Sequence, residues 1–201
     1  MRVARFGALL LAGAFALGTA VPAQAATTTI SIVSRTVGFD PQVVSKPQGT
    51  TFAWKNNDPS FTHTSTQDSP LALWTTGNIA PTGTKSVTVA SAGVYPYHCA
   101  IHTFMTGTVR VPIKVSATSG TISDTFTITV ATTNAAAPFV YDVQRRIGSG
   151  AWTAFATGVT SKSVTFHPSG TGMFSFRSRL RDTSEANAFS GYSPKKTITV
   201  S

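Results

Sequence analysis

The chain has one cysteine in 201 residues. A single thiol cannot close a disulfide within its own chain, so a disulfide-stapled scaffold is excluded. Charge is scarce as well. Lys, Arg, Asp and Glu make up 11% of the residues, against about 25% in an average soluble domain. Acidic residues are the scarcest, 7 against 16 basic ones, for a net charge of +9. The basic residues are scattered along the chain, which argues against a nucleic-acid-binding surface. Low charge combined with 41% hydrophobic residues excludes intrinsic disorder. Beyond residue 25 no run is apolar enough to cross a membrane, and no helical periodicity competes between Thr27 and Val115.

What is present begins with a leader. Arg2 and Arg5 form a positive start, Phe6 to Leu17 an apolar run too short for a bilayer, and Ala23-Gln24-Ala25 a small-x-small cleavage site. Residues 1–25 are therefore read as a secretory signal peptide and not as a transmembrane anchor. No cysteine follows the apolar run, which excludes a lipoprotein anchor, and the two arginines are not adjacent, as a twin-arginine signal requires. The mature chain is expected to be exported, periplasmic or extracellular, with 14 basic against 7 acidic residues and a net charge of +7. In an oxidising compartment a lone thiol oxidises or cross-links unless something buries or occupies it.

The rest of the chain reads as two β modules. In the first, Val109, Val111, Ile113 and Val115 alternate with polar residues and are expected to face a core, with Arg110 and Lys114 facing water. Pro112 falls on the outward set and suggests an edge or a strand end. Thr51 to Lys55, Val87 with Val89, and Val94 to Cys99 are further strands. Ser116 to Gly120 is a polar, small-residue stretch expected to be a linker. In the second module, Phe126, Ile128 and Val130 alternate with threonines, and Tyr141, Val143 and Ile147 share one face of a strand. Val164 with Phe166, Phe174 to Arg181, and Lys196 to Val200 follow. Short strands with regular turns predict antiparallel sandwiches. The expected organisation is a signal peptide over 1–25, one sandwich over 26–115, a linker over 116–120 and a second sandwich over 121–201.

Between two predicted strands lies Cys99-Ala100-Ile101-His102-Thr103-Phe104-Met105, a C-x2-H-x2-M spacing. Thiolate and thioether favour Cu(I), while imidazole accommodates Cu(II). Two His and one Cys in a plane with a weak axial Met are blue-copper ligands. The second His must come from elsewhere, and His63, in the loop after the Phe52–Lys55 strand, is the only candidate upstream. Taken alone, Cys99 reads as a buried structural thiol and Met105 as a core filler. Zinc is an alternative if His98 replaces Met105, but strand alternation turns His98 away from Cys99. His167 precedes Pro168 in a turn and reads as surface.

The first module resembles a cupredoxin of the plastocyanin/amicyanin type, with a short ligand loop nearer the amicyanin side. The resemblance is carried by Gly38-Phe39-Asp40-Pro41, Phe52 to Asp58, Trp74-Thr75-Thr76-Gly77 and Gly93 to Cys99, and covers roughly residues 28–115. It implies a Greek-key β-sandwich and one type 1 copper ion, with His63, Cys99 and His102 equatorial and Met105 axial. It also implies a one-electron carrier, not an enzyme, that meets a redox partner protein across an apolar surface around His102. Ile101, Phe104 and Pro70 are the candidates for that surface. Thr64 stands where some relatives have a bracing Asn, and Thr103 where amicyanins tend to have Pro. Ala100 stands where a His-Cys-His motif needs its second His, which disfavours a multicopper oxidase.

The second module resembles a fibronectin type III or immunoglobulin-like sandwich, through Tyr141 to Arg146, Trp152, Phe174 to Arg179 and Gly191 to Pro194. Such a fold implies no activity. Its Arg146, Arg177, Arg179 and Arg181 are expected to share an outer face, open to an acidic protein or an anionic envelope polymer, or simply solvated. The other function class left open is a cell-surface copper-binding or adhesion protein with no electron-transfer role.

Overall fold

The structure, a computed structural model, describes residues 26–68 and 70–201. The expected signal peptide lies outside the described residues. All regular structure among the described residues is β, and no helix among them is long and apolar enough to cross a membrane.

The first half holds β1 (Thr27–Ser34), β2 (Gly38–Asp40), β3 (Val43–Ser45), β4 (Thr50–Asn56), β5 (Thr66–Gln67), β6 (Thr84–Val89), β7 (Gly93–His98) and β8 (Thr106–Val111). They form two four-stranded sheets, ordered β2-β1-β4-β6 and β3-β8-β7-β5. The pairs β1–β4 and β3–β8 are parallel, and the others antiparallel. Inward positions repeat every second residue, as a pleated strand demands. Ile30 and Ile32 on β1, Phe52 and Trp54 on β4, Tyr95 and Tyr97 on β7, and Val109 and Val111 on β8 are all wholly buried. Trp54, Trp74 and Phe39 pack their rings around Tyr97.

The second half holds β9 (Lys114–Val115), β10 (Ser119–Gly120), β11 (Phe126–Thr129), β12 (Phe139–Ile147), β13 (Thr153–Val159), β14 (Ser163–Phe166), β15 (Gly172–Asp182) and β16 (Lys196–Val200). Its sheets run β14-β11-β9 and β10-β16-β15-β12-β13. Phe126, Phe166, Phe174 and Phe176 form its core.

Three local expectations change. The alternating run from Thr108 to Val115 is not one strand. Pro112 has no N–H to continue the ladder, β8 stops at Val111, and β9 crosses to pair with β11 of the second sandwich. Within the stretch expected as a linker, β10 pairs in parallel with β16. Ile147, expected on an inward face with Tyr141 and Val143, is 53% exposed at the end of β12, where the strand enters the Gly148-Ser149-Gly150 turn.

The four arginines do share a face, but it is filled by the protein itself. Arg177 stacks over Trp152 and Tyr192 and donates to Gln144 Oε1, while Arg179 stacks over Phe189 and Tyr192. Arg146 stacks over Trp152. Arg179 and Arg181 both pair with the buried Asp142.

Candidate metal centre

The centre forms where the loop after β4 meets the end of β7. Gly93, Tyr95 and Tyr97 are the inward residues of β7, and Cys99, next in that alternation, is wholly buried. The segment 99–105 then folds back on itself. The N–H of Cys99 donates to Met105 O at 3.0 Å, and the N–H of Met105 to His102 O at 2.9 Å. This loop sets His102 beside the thiol and holds the buried Met105 against the Cys99 backbone. His98 points the other way, as alternation requires, and pairs with Asp68 at 2.6 Å. His167 is exposed.

His63 comes from 36 residues upstream. Its backbone is fixed to Ile79 by two hydrogen bonds, and Asn56 Nδ2 ties the same loop by donating to Phe61 O and Ile79 O. The result is a convergence of three donor atoms. His63 Nδ1 and His102 Nδ1 each lie 3.8 Å from Cys99 Sγ and 3.2 Å from each other. Three donors bonded to one first-row metal ion at about 2.0 Å (N) and 2.3 Å (S), spread by about 120°, stand ~3.5–3.7 Å apart. The observed spacings fit that arrangement, and the thiolate-plus-imidazole chemistry fits copper.

Around the donors stand groups that orient them. Asp58 Oδ2 lies 3.3 Å from His63 Nε2, on the side of the ring opposite the thiol. Asp58 is itself fixed by the backbone N–H groups of Arg35, Ser60 and Phe61. The Ser60 N–H in particular holds its carboxyl below the usual range, against burial, with help from His63, Phe61 and Arg35. Burial pushes the His63 imidazolium below its ordinary value and His102 adds to this, while Asp58 pulls the other way. The ring is therefore biased toward the neutral form that a metal requires. Thr64 donates its backbone N–H to Cys99 Sγ at 3.3 Å, and its hydroxyl accepts the Ala100 N–H at 2.7 Å. Thr64 thus does the bracing expected of an Asn at that position.

His102 is only half-buried. Ile101 is 49% and Phe104 68% exposed beside it, and Phe61 and Phe104 set their rings against the imidazole. Pro70 is exposed in the turn after β5. Phe61 and Asp58 received no role from the sequence. The Asx-rich run Asn56-Asn57-Asp58-Pro59-Ser60 is the one signal that marked a side-chain-braced turn there.

A family model described as a cupredoxin-like domain matches residues 7–111, just over half of the chain. No match was found among the curated proteins. Among solved structures, the novel purple cupredoxin from Nitrosopumilus maritimus is 25% identical, with 41% of this chain and 97% of that one covered and a TM-score of 0.37. The Cu(I) form of an amicyanin mutant is 25% identical over 44% of this chain and 84% of that one, with a TM-score of 0.39. A copper-containing nitrite reductase from Thermus scotoductus is 25% identical over 48% of this chain and 24% of that one, with a TM-score of 0.39. With its matched domain, all-β sheets and converging thiol and imidazoles, the chain belongs to the cupredoxin-like family, and its cofactor is copper.

Proposed function

We propose that this is an exported one-electron carrier, in which His63, Cys99, His102 and Met105 would hold one type 1 copper ion. The observation that carries the reading is the convergence of two Nδ1 atoms on one buried thiol. Bound copper supplies a Cu(II)/Cu(I) couple. The protein's part is to keep the donors fixed, so that little moves when one electron is gained or lost. Thr64 N–H holds Sγ, Asp58 holds the far side of His63, and Asn56 holds the loop between them. Trp54, Trp74 and Tyr97 fill the interior close to the thiol's strand. The exposed Ile101, Phe104 and Phe61 around His102 give a redox partner protein an apolar rim to press against.

The leader-like residues 1–25 support export to a periplasmic or extracellular space. The second sandwich reads as fibronectin type III or immunoglobulin-like, on the residues that carry that resemblance. Its arginines are taken up by internal stacking, and the proposal assigns them no anionic partner.

Adding Cu(II) to the mature protein tests the reading. An intense blue thiolate-to-copper band, absent in Cys99→Ser, and a reversible one-electron couple are expected. A colourless copper complex overturns the electron-carrier reading and leaves a copper-binding protein without that role.

A further inference from the structure

The two sandwiches meet along the strand that leads to Cys99. β5 pairs with the outer edge of β7 only at Tyr97 and His98. Further back, Pro96 has no N–H, and its carbonyl accepts the N–H of Asp68 at 3.0 Å. That leaves the N–H and C=O of Val94, which a sheet edge would present to solvent. Both are taken by Gly191 of the second sandwich. The Val94 N–H donates to Gly191 O at 2.9 Å, and the Gly191 N–H donates to Val94 O at 2.9 Å.

The approach is close on both sides. A Cβ on Gly191 would stand 3.0 Å from Val94 Cβ, and one on Gly93 would stand 2.6 Å from Ser190 Oγ. The neighbouring contacts extend the same grip. Ala92 N–H donates to Val130 O, and Thr132 N–H donates to Ala90 O. Tyr95, on the same inward face as Cys99, bonds through its hydroxyl to Ser91 Oγ and donates to Ser91 O, and Ser91 bridges to Ala131.

We infer that the second sandwich is a buttress for the copper centre, and that Gly191 is a positioning residue which, by completing the edge of β7 at Val94, fixes the strand that delivers Cys99. This rests on the copper reading above. The argument is one of stiffness. An isolated edge strand opens locally at low cost, whereas a strand paired along both edges opens only with its neighbours. The thiol lies five residues beyond the Val94 contact on one extended segment, so looseness at the edge is passed to Sγ.

The experiment compares Gly191→Val, Gly191→Ala and Gln48→Ala with the parent in the full mature chain. Gln48 also joins the sandwiches, but its hydrogen bonds go to Pro112 O and Thr129 O and not to β7. In copper-free protein, amide exchange at Val94 and Cys99 is expected to quicken about tenfold in Gly191→Val, the size set by losing a backbone bond pair. It is expected to quicken less in Gly191→Ala and not at all in Gln48→Ala. In copper-loaded protein, the blue band and reduction potential are expected to shift in the Gly191 variants only. Gly191→Ala adds a single carbon and keeps the comparison valid if Gly191→Val does not fold. Unchanged Cys99 exchange, or equal shifts of band and potential in the Gln48 and Gly191 variants, overturns the buttress. A parent with no blue band overturns the copper reading instead, and the exchange data then still report whether Gly191 holds the strand.

Discussion

Thr64 and Cys99, 35 residues apart, are joined by a hydrogen bond from the Thr64 backbone N–H to Sγ at 3.3 Å. The same residue's hydroxyl takes the Ala100 N–H at 2.7 Å, so the thiol and the peptide after it are held from one side chain and its own backbone. Thr64→Val keeps the shape and removes the oxygen. The Ala100 N–H then loses its acceptor at a cost of about 1 kcal/mol. A lower melting temperature and a displaced blue band are expected, by calorimetry and visible spectroscopy. An unchanged band would mean the hydroxyl plays no part in holding Sγ.

In the proposed centre Asp58 would act on the metal through His63. Asp58→Asn keeps the shape but takes away the anion facing His63 Nε2. Outer partners of this kind typically contribute 10–100-fold in metal affinity. Competition with a calibrated chelator should show Cu(II) binding weakened by about that range. Affinity within twofold of the parent would assign Asp58 to the loop alone, through its bonds to Ser60 and Phe61.

Phe104 is the most exposed large apolar residue flanking His102. Phe104→Glu places a charge on the proposed docking rim without touching a donor atom. Electron exchange with a physiological partner, or self-exchange followed by NMR line-broadening, is expected to slow at least about tenfold, a ΔΔG near 1.4 kcal/mol. The blue band should stay in place. Undiminished exchange would move the docking surface elsewhere.

Asp142 gives the second sandwich a pH dependence. Burial pushes its carboxyl up, but the hydrogen bond from Arg181, the Gly158 N–H and the charges of Arg181 and Arg179 outweigh it, and the net shift is downward. A carboxyl depressed in the folded state binds fewer protons there than when unfolded. Its stabilisation is therefore complete above about pH 4, the unfolded value, and is lost as the pH falls through the folded one. Asp142→Asn should cost roughly 2–3 kcal/mol at neutral pH. That is short of the ~3–5 kcal/mol of a fully buried pair, because both guanidinium groups keep some contact with water. Chemical denaturation at pH 7 and pH 3 should show the variant closing on the parent at the lower pH. A constant gap would exclude titration of Asp142 as the cause.

The parts of the centre that were legible in the sequence are the local ones. Cys99, His102 and Met105 lie within one loop, and their spacing alone suggests a shared target. His63 needed elimination and resemblance, because its distance from Cys99 in the chain follows from sheet order, which no short pattern records. Asp58 and Phe61 were opaque for the same reason: their roles arise when the loop after β4 folds over the end of β7. Alternation along β15 put the arginines on one face, but their partners Trp152, Tyr192 and Phe189 come from other segments. The break at Pro112 was readable as a strand end. That the chain crosses there to a second sandwich, which then returns Gly191 to Val94, was not.

The full burial of Cys99 beside a half-open His102 has a consequence for maturation. His102, the half-open member of the three, gives an ion arriving from solvent an imidazole to meet before sulfur. The same burial keeps the thiol of the copper-free chain out of reach of oxidants and of a second chain's cysteine.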